Sequence, residues 1–220
     1  TEGLFARIAL VTGTAHYWEG ATTDGLVSIY GNAVTDAAAS VRDPKNPDNP
    51  GGIFAWKLAQ TSDQFGNLIT YEYERDLVRG DARNGEQNYI KRIRYADYEA
   101  AGGPKQFLVS IAFYYDDETL PHAVSPPTRT RPDPFSEFRA GFEVRTRRRC
   151  TLILIRSHPA DAGEIPIRAY RLIYLDERTD LSVTERVLPA NGVSLLSRIE
   201  VLGYDDAGQP VSGLPPLDFA

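Results

Sequence analysis

Apolar side chains in this chain recur at every second residue, in short runs that Gly, Asp, Asn or Pro interrupt. Leu68-Ile69-Thr70-Tyr71-Glu72-Tyr73-Glu74 carries the pattern: Ile69, Tyr71 and Tyr73 fall on one side, and Leu68, Thr70, Glu72 and Glu74 on the other. A helix would scatter those aromatics around its circumference, whereas an extended strand sends successive side chains to opposite faces. Phe107-Leu108-Val109-Ser110-Ile111-Ala112-Phe113-Tyr114-Tyr115 is rich in the β-branched and aromatic residues that suit a pleated, packed surface. The same reasoning predicts strands over 5–11, 15–18, 26–31, 53–59, 89–95, 141–146, 151–157, 168–175 and 195–204. Together these features predict an all-β fold of antiparallel sheets, made of short strands and hairpins.

Breakers set the organisation. Ala37-Ala38-Ala39-Ser40 has the composition of a short helical turn, and Pro44, Pro47, Pro50 and Gly51-Gly52 stop it, leaving a proline-rich loop over 41–52. A second proline-rich loop covers 121–134, a polar excursion covers 76–87, and Pro215-Pro216 marks the exit. The expected organisation is a single β-rich module over 1–220, long enough to bury a core without disulfides, since Cys150 is the only cysteine. A start at Thr1 and the lack of methionine point to a piece of a longer protein. A looser recurrence, Asp63-x-x-Gly66, Tyr95-x-Asp97 and Tyr204-Asp205-Asp206-Ala207-Gly208, suggests a degenerate strand-turn-strand unit that adds edge to edge.

Charge and motifs narrow the chemistry. A formal net charge of -6 argues against nucleic acid as a partner, and no apolar run approaches the length of a membrane span. The basic cluster Arg145 to Arg149 reads as a solvated or ion-paired strand. His16, His122 and His158 are far apart, with no HExxH and no paired cysteines, so no metal or other cofactor is expected. Cys150 joins a run of arginines to an apolar run and reads as core material, and no GxSxG elbow or phosphate loop occurs. Asp63 has two roles open to it. It either offers an oxygen to a cation or accepts N–H bonds from its own loop, with Gly66 or Asn67 at positive φ; the spacing departs from an EF-hand, which favours the turn.

Several stretches then carry a family resemblance. These are Asp24-Gly25 with Tyr30-Gly31; Trp56-Lys57-Leu58 through Asp63-x-x-Gly66-Asn67 to Tyr71 and Tyr73; Tyr89 to Tyr95; and RPDPFSEFRAGFEVRTRRRC over Arg131 to Cys150. Tyr170 to Tyr174 and Leu202-Gly203-Tyr204 extend them. The chain resembles the region shared by the N-terminal part of Salmonella plasmid virulence protein B and the B component of bacterial insecticidal toxin complexes. The resemblance implies a fragment of a β-shell of the RHS (YD-repeat) kind or an irregular β-sandwich, in a secreted or cell-surface protein. It implies partners in neighbouring propeller or YD-repeat domains of the same chain, a pore component and a C-terminal effector. Catalysis would lie in that effector, such as an ADP-ribosyltransferase, and this chain would be a non-catalytic scaffold; the alternative is a carbohydrate- or receptor-binding β-sandwich. The matching positions are Trp56, Asp63, Gly66, Asn67, Tyr71, Tyr73, Arg131, Pro132, Asp133, Pro134, Phe135, Gly141, Phe142, Glu143, Arg145, Thr146, Arg147 and Cys150, all expected to do structural work. Phe142 and Val144 are expected to pack, and Glu143 and Arg145 to face another sheet or each other.

Overall fold

The computed structural model describes residues 6–13, 16–31, 38–46, 49–77, 86–99, 102–115, 131–159 and 163–219. The chain divides into two compact units, 1–108 with 136–145, and 109–135 with 146–220. Nearly all regular structure in both is antiparallel strand, as the alternation predicts.

In the first unit β1 (Ala6–Val11), β2 (Tyr17–Thr22) and β3 (Val27–Tyr30) form a meander. Next come β4 (Ser40–Arg42), β5 (Ile53–Trp56), β6 (Leu58–Ser62), β7 (Leu68–Leu77) and β8 (Glu86–Glu99). The sheet runs β1-β2-β3-β6-β7-β8, while β4 and β5 pair separately. Ser40 and Val41 are buried in β4, so the helical turn expected at 37–40 is not formed by its last residue, and Ala37 lies outside the described residues. The loop expected over 41–52 is shorter for the same reason and ends in a single 3-10 turn, Pro50–Gly52. Burial outweighs the local preference of alanine and serine here: Asn88 Nδ2 on β8 donates to the Ala38 carbonyl and, at 2.8 Å, to the Ser40 carbonyl, tying β4 to β8.

β7 and β8 show why the residues sort as they do. Tyr71 lies opposite Ile93 and Glu72 opposite Arg92, but Tyr73 lies opposite Ile90, so Lys91 is the extra residue of a β-bulge. Without the bulge, Ile90 and Ile93 would point to opposite faces. With it, both isoleucines join the tyrosine face while Arg92 and Arg94 join the glutamate face, where Arg94 pairs with Glu72 at 2.5 Å.

β9 (Lys105–Tyr115) leads from the first unit into the second. β10 (Phe135–Glu137) and β11 (Val144–Thr146) make a two-stranded sheet. The strand expected over 141–146 therefore begins three residues late, because Gly141, at φ +80°, closes a turn onto the Phe138 carbonyl. β12 (Cys150–Ser157), β13 (Ile165–Tyr174), β14 (Leu196–Tyr204) and β15 (Pro210–Asp218) follow, in the order β9-β12-β13-β14-β15. The expected exit at Pro215-Pro216 is instead part of β15. An edge strand tolerates proline because half of its N–H groups need no partner. Ala112, Leu154, Ala169 and Leu202 line up across β9, β12, β13 and β14, and Leu152, Leu154 and Ala169 form the second unit's core with Tyr114 and Tyr204 packed on it.

Three hairpin corners in the sheets are built alike. Asp63 N–H donates to the Asn67 carbonyl (3.1 Å) and Gly66 N–H to the Asp63 carbonyl (3.1 Å), with Gly66 at φ +83°. Asp205, Gly208 and Gln209 repeat this at 3.0 and 2.9 Å with φ +73°, and Thr22, Gly25 and Leu26 at 2.9 and 3.1 Å with φ +86°. This is the three-residue hairpin with a bulge glycine, which needs a left-handed residue at its fourth position. Tyr95-x-Asp97 is not a fourth copy: it lies inside β8. Asp97 instead accepts from Leu68 N–H and Lys105 Nζ, both at 2.6 Å, and Lys105 also donates to the Gly66 carbonyl at 2.6 Å.

Candidate functional site

The Asp63 corner answers its own question. Oδ1 accepts from the N–H groups of Phe65 and Asn67, both at 2.9 Å, and Oδ2 accepts from Asn67 Nδ2 at 2.7 Å. Those bonds, led by the Asn67 side chain, hold the carboxyl below its ordinary pKa. Both oxygens therefore serve the loop, and among the described residues no group of three or more His, Cys, Asp or Glu is placed to hold a metal. A Cβ on Gly66 would meet nothing within 4 Å, so Gly66→Val is resisted by backbone conformation alone. We expect it to cost about 1–2 kcal/mol in thermal or urea melts, with no response to EDTA before or after the substitution. A melting temperature that rises sharply with added calcium would reverse this assignment.

Trp56 closes β5 and meets Trp18 of β2 edge to face, with centroids 6.1 Å apart. On β7, Tyr73 donates its hydroxyl to the Leu58 carbonyl at 2.9 Å, and Tyr71 shares its face. These motif residues bind strand to strand and leave no convergent reactive groups.

The Arg131 to Cys150 block splits between the two units. In the first unit Glu143 is buried, takes a hydrogen bond from Ser136 Oγ and pairs with Arg145 at 3.7 Å; of the two arrangements expected for Glu143 and Arg145, they face each other. Val144 beside it is also buried, while Phe142 is only half-buried. In the second unit Arg131 grips Asp133 through two 3.0 Å bonds and stacks 4.9 Å from the Phe135 ring. Pro132 and Pro134 are exposed on either side, and Arg131 N–H donates to the Arg147 carbonyl at 3.0 Å. Asp133 also accepts from the N–H of Ser194 at 2.8 Å and from its hydroxyl.

Ser194 Oγ in turn accepts from Arg149 Nη1 at 3.1 Å. Arg149 forks onto Asp176 at 2.9 and 3.0 Å, reaches Glu177, and lies 4.2 Å from the Tyr174 ring. Tyr174 donates its hydroxyl to the Cys150 carbonyl at 3.0 Å. The basic run is thus ion-paired at Arg149, and Cys150 offers its thiol to the Leu152 carbonyl. The site positions read from the sequence include Arg131, Asp133 and Cys150; Tyr174 figures there only as part of a strand, and Arg149, Asp176, Glu177 and Ser194 are not among them. The one signal for Asp176 and Glu177, an Asp-Glu pair after an alternating strand, gives no hint of which distant arginine it meets.

Burial pushes the Asp133 carboxyl up, but its bonds from Arg131 and Ser194 outweigh burial and hold it far below the usual carboxylate range. A carboxyl depressed in the folded state contributes stability in full above its unfolded pKa, near 4, and loses it as pH falls toward the folded value. Urea midpoints measured downward from pH ~5 should therefore fall, and Asp133→Asn should flatten that fall; an unchanged slope would refute the assignment.

One constellation has the look of a nucleophile site. His158 Nε2 lies 2.7 Å from Ser110 Oγ, and Glu164 lies 3.6 Å from His158 Nδ1. Ser110, however, is 1% exposed in the middle of β9, so no substrate carbonyl reaches it. Histidine here fastens β12 to β9.

These polar clusters join strands and loops within each unit. The family model "Salmonella virulence plasmid 65kDa B protein" (SpvB) matches residues 1–158. The chain belongs to the SpvB family. It is 24% identical over 201 residues to mono(ADP-ribosyl)transferase SpvB of Salmonella typhimurium, covering 79% of this chain and 33% of that protein. The same identity and shares hold for SpvB of Salmonella choleraesuis. The chain thus spans about a third of the length of the curated SpvB proteins it matches. In fold it is similar to the N-terminal domain of effector protein SpvB from Salmonella typhimurium strain LT2, at a TM-score of 0.72 and 21% identity, over 93% of this chain and 67% of that one. It is equally similar, at a TM-score of 0.72 and 23% identity, to a Tc toxin component in the crystal structure of TcdB2-TccC3-Cdc42, over 100% of this chain and 11% of that one. Membership of the SpvB family and the Tc-component fold bear out the resemblance read from the Arg131 to Cys150 block.

Proposed function

We propose that this chain is a non-catalytic scaffold module of a toxin or virulence protein, contributing β-sheet wall or lid to a shell that carries an effector. The observation that carries the reading is the match of the whole chain to a small part of a much longer Tc toxin component. The polar clusters support it. Arg149, Asp133 and Asp63 all make hydrogen bonds that hold strands and loops together. SpvB relatives named as ADP-ribosyltransferases match through a third of their length, and that shared third is assigned here a carrying role rather than the transfer chemistry.

In this reading the partners are neighbouring domains of one polypeptide, with a pore component and an effector in the assembled toxin, and the module is exported as part of that protein. No helix among the described residues is long and apolar enough to cross a membrane.

Two measurements test the proposal. Incubated with labelled NAD and candidate acceptor proteins, the 220-residue chain should transfer no ADP-ribose above a blank; turnover would overturn the non-catalytic assignment. The reading frame around these residues should encode further β-rich shell or propeller domains, and a frame holding no other domain would overturn the scaffold role.

A further inference from the structure

A cleft of about 260 Å³ opens in the first unit between the loop after β4 and the turn between β10 and β11. Asp43, Gly52, Phe54, Arg139, Gly141 and Phe142 line it. We infer that this cleft is a binding site for one ring of a neutral carbohydrate, a role that the scaffold function does not require.

The argument runs from what each wall offers. Phe54 is 39% exposed and Phe142 half-buried, and Phe138 on the same turn is 66% exposed. Aromatic rings held at a surface beside a concavity present apolar faces, onto which the C–H face of a pyranose stacks. Arg139 and Asp43 add a donor fork and an acceptor, the complement that vicinal hydroxyls need.

Charge then excludes the other ligand classes. Arg139 already pairs with Glu137, and Asp43 adds a negative charge, so an anion gains little here. Among the described lining residues Asp43 is the only carboxylate, too few ligands for a divalent cation. The volume lies below the usual range for a drug-sized molecule and suits a single ring. Glycine keeps the walls clear. Asp43 N–H donates to the Gly52 carbonyl at 2.9 Å, which holds the two ends of this loop together at the cleft wall. Around Gly141 an added Cβ would meet nothing within 4 Å.

The test is titration of the isotope-labelled 220-residue chain with the methyl glycosides of glucose, galactose, mannose and N-acetylglucosamine, read by amide shifts. At least one should move the amides of 43, 51–54 and 139–142, with a dissociation constant on the order of 1 mM. Phe142→Ala and Arg139→Ala should each weaken that binding at least about tenfold, while Phe142→Tyr, which keeps the stacking face and guards against loss of fold, should retain it. The inference is overturned if no glycoside shifts these amides, if shifts fall elsewhere, or if both alanine variants bind as the parent does. A proline-rich peptide that shifts them when no sugar does would overturn it too.

Discussion

Arg149→Ala should destabilise the second unit by about 3–5 kcal/mol, the range for removing one partner from a buried ion pair. The Arg149 side chain is only 3% exposed, and it satisfies Asp176 and Glu177 together while bridging through Ser194 to Asp133. Truncation strands two carboxylates in a partly buried site and removes the cation stacked on Tyr174. Arg149→Lys should recover only part of the loss, since an ammonium cannot reproduce the two parallel bonds to Asp176. Urea unfolding followed through amide exchange in β12 and β14 is the measurement. A loss under about 1 kcal/mol would mean that the cluster behaves as an exposed salt bridge does.

Gly31→Ala should cost about 3 kcal/mol or more in the first unit. Two effects add there: φ is +76°, which costs an L-residue about 1–2 kcal/mol, and the new Cβ would stand 2.2 Å from Trp56 Cδ1. The backbone has no easy retreat, because Gly31 N–H donates to the Lys57 carbonyl at 2.8 Å and Trp56 is braced edge to face by Trp18. Loss of the near-ultraviolet tryptophan signal should accompany the change. Trp56→Leu combined with Gly31→Ala should cost less than the sum of the two alone, because the clash disappears with the indole. Strict additivity would show that the two positions do not meet.

How much of this was legible in advance differs between elements. The β7 alternation and the Asp63 and Asp205 corners were readable, since a strand's period and a hairpin glycine depend on neighbours a few residues away. The Ala38 to Ser40 stretch was not: its composition favours a turn, and burial against Asn88 makes Ser40 a strand. β15 was hidden behind Pro215-Pro216, which an edge strand accommodates. Tyr95-x-Asp97 looked like another turn, yet Asp97 is held within β8 by Leu68 and Lys105. Of the polar cluster, Arg131 and Asp133 were visible as neighbours in sequence, whereas Asp176 and Ser194 join Arg149 from 27 and 45 residues away.

By itself, then, the sequence determined the all-β class, the hairpin corners and, through the Arg131 to Cys150 block, the SpvB family. Those properties rest on side-chain period, on the φ a glycine permits and on a run of adjacent residues. Tertiary structure alone decided which arginines are buried, where the β8 bulge sorts isoleucine from arginine, and that Phe54 and Arg139 share a cleft. The physical reason is distance along the chain: a buried charge or a concave surface depends on groups that only folding brings together, and one chain's local pattern holds no record of that pairing.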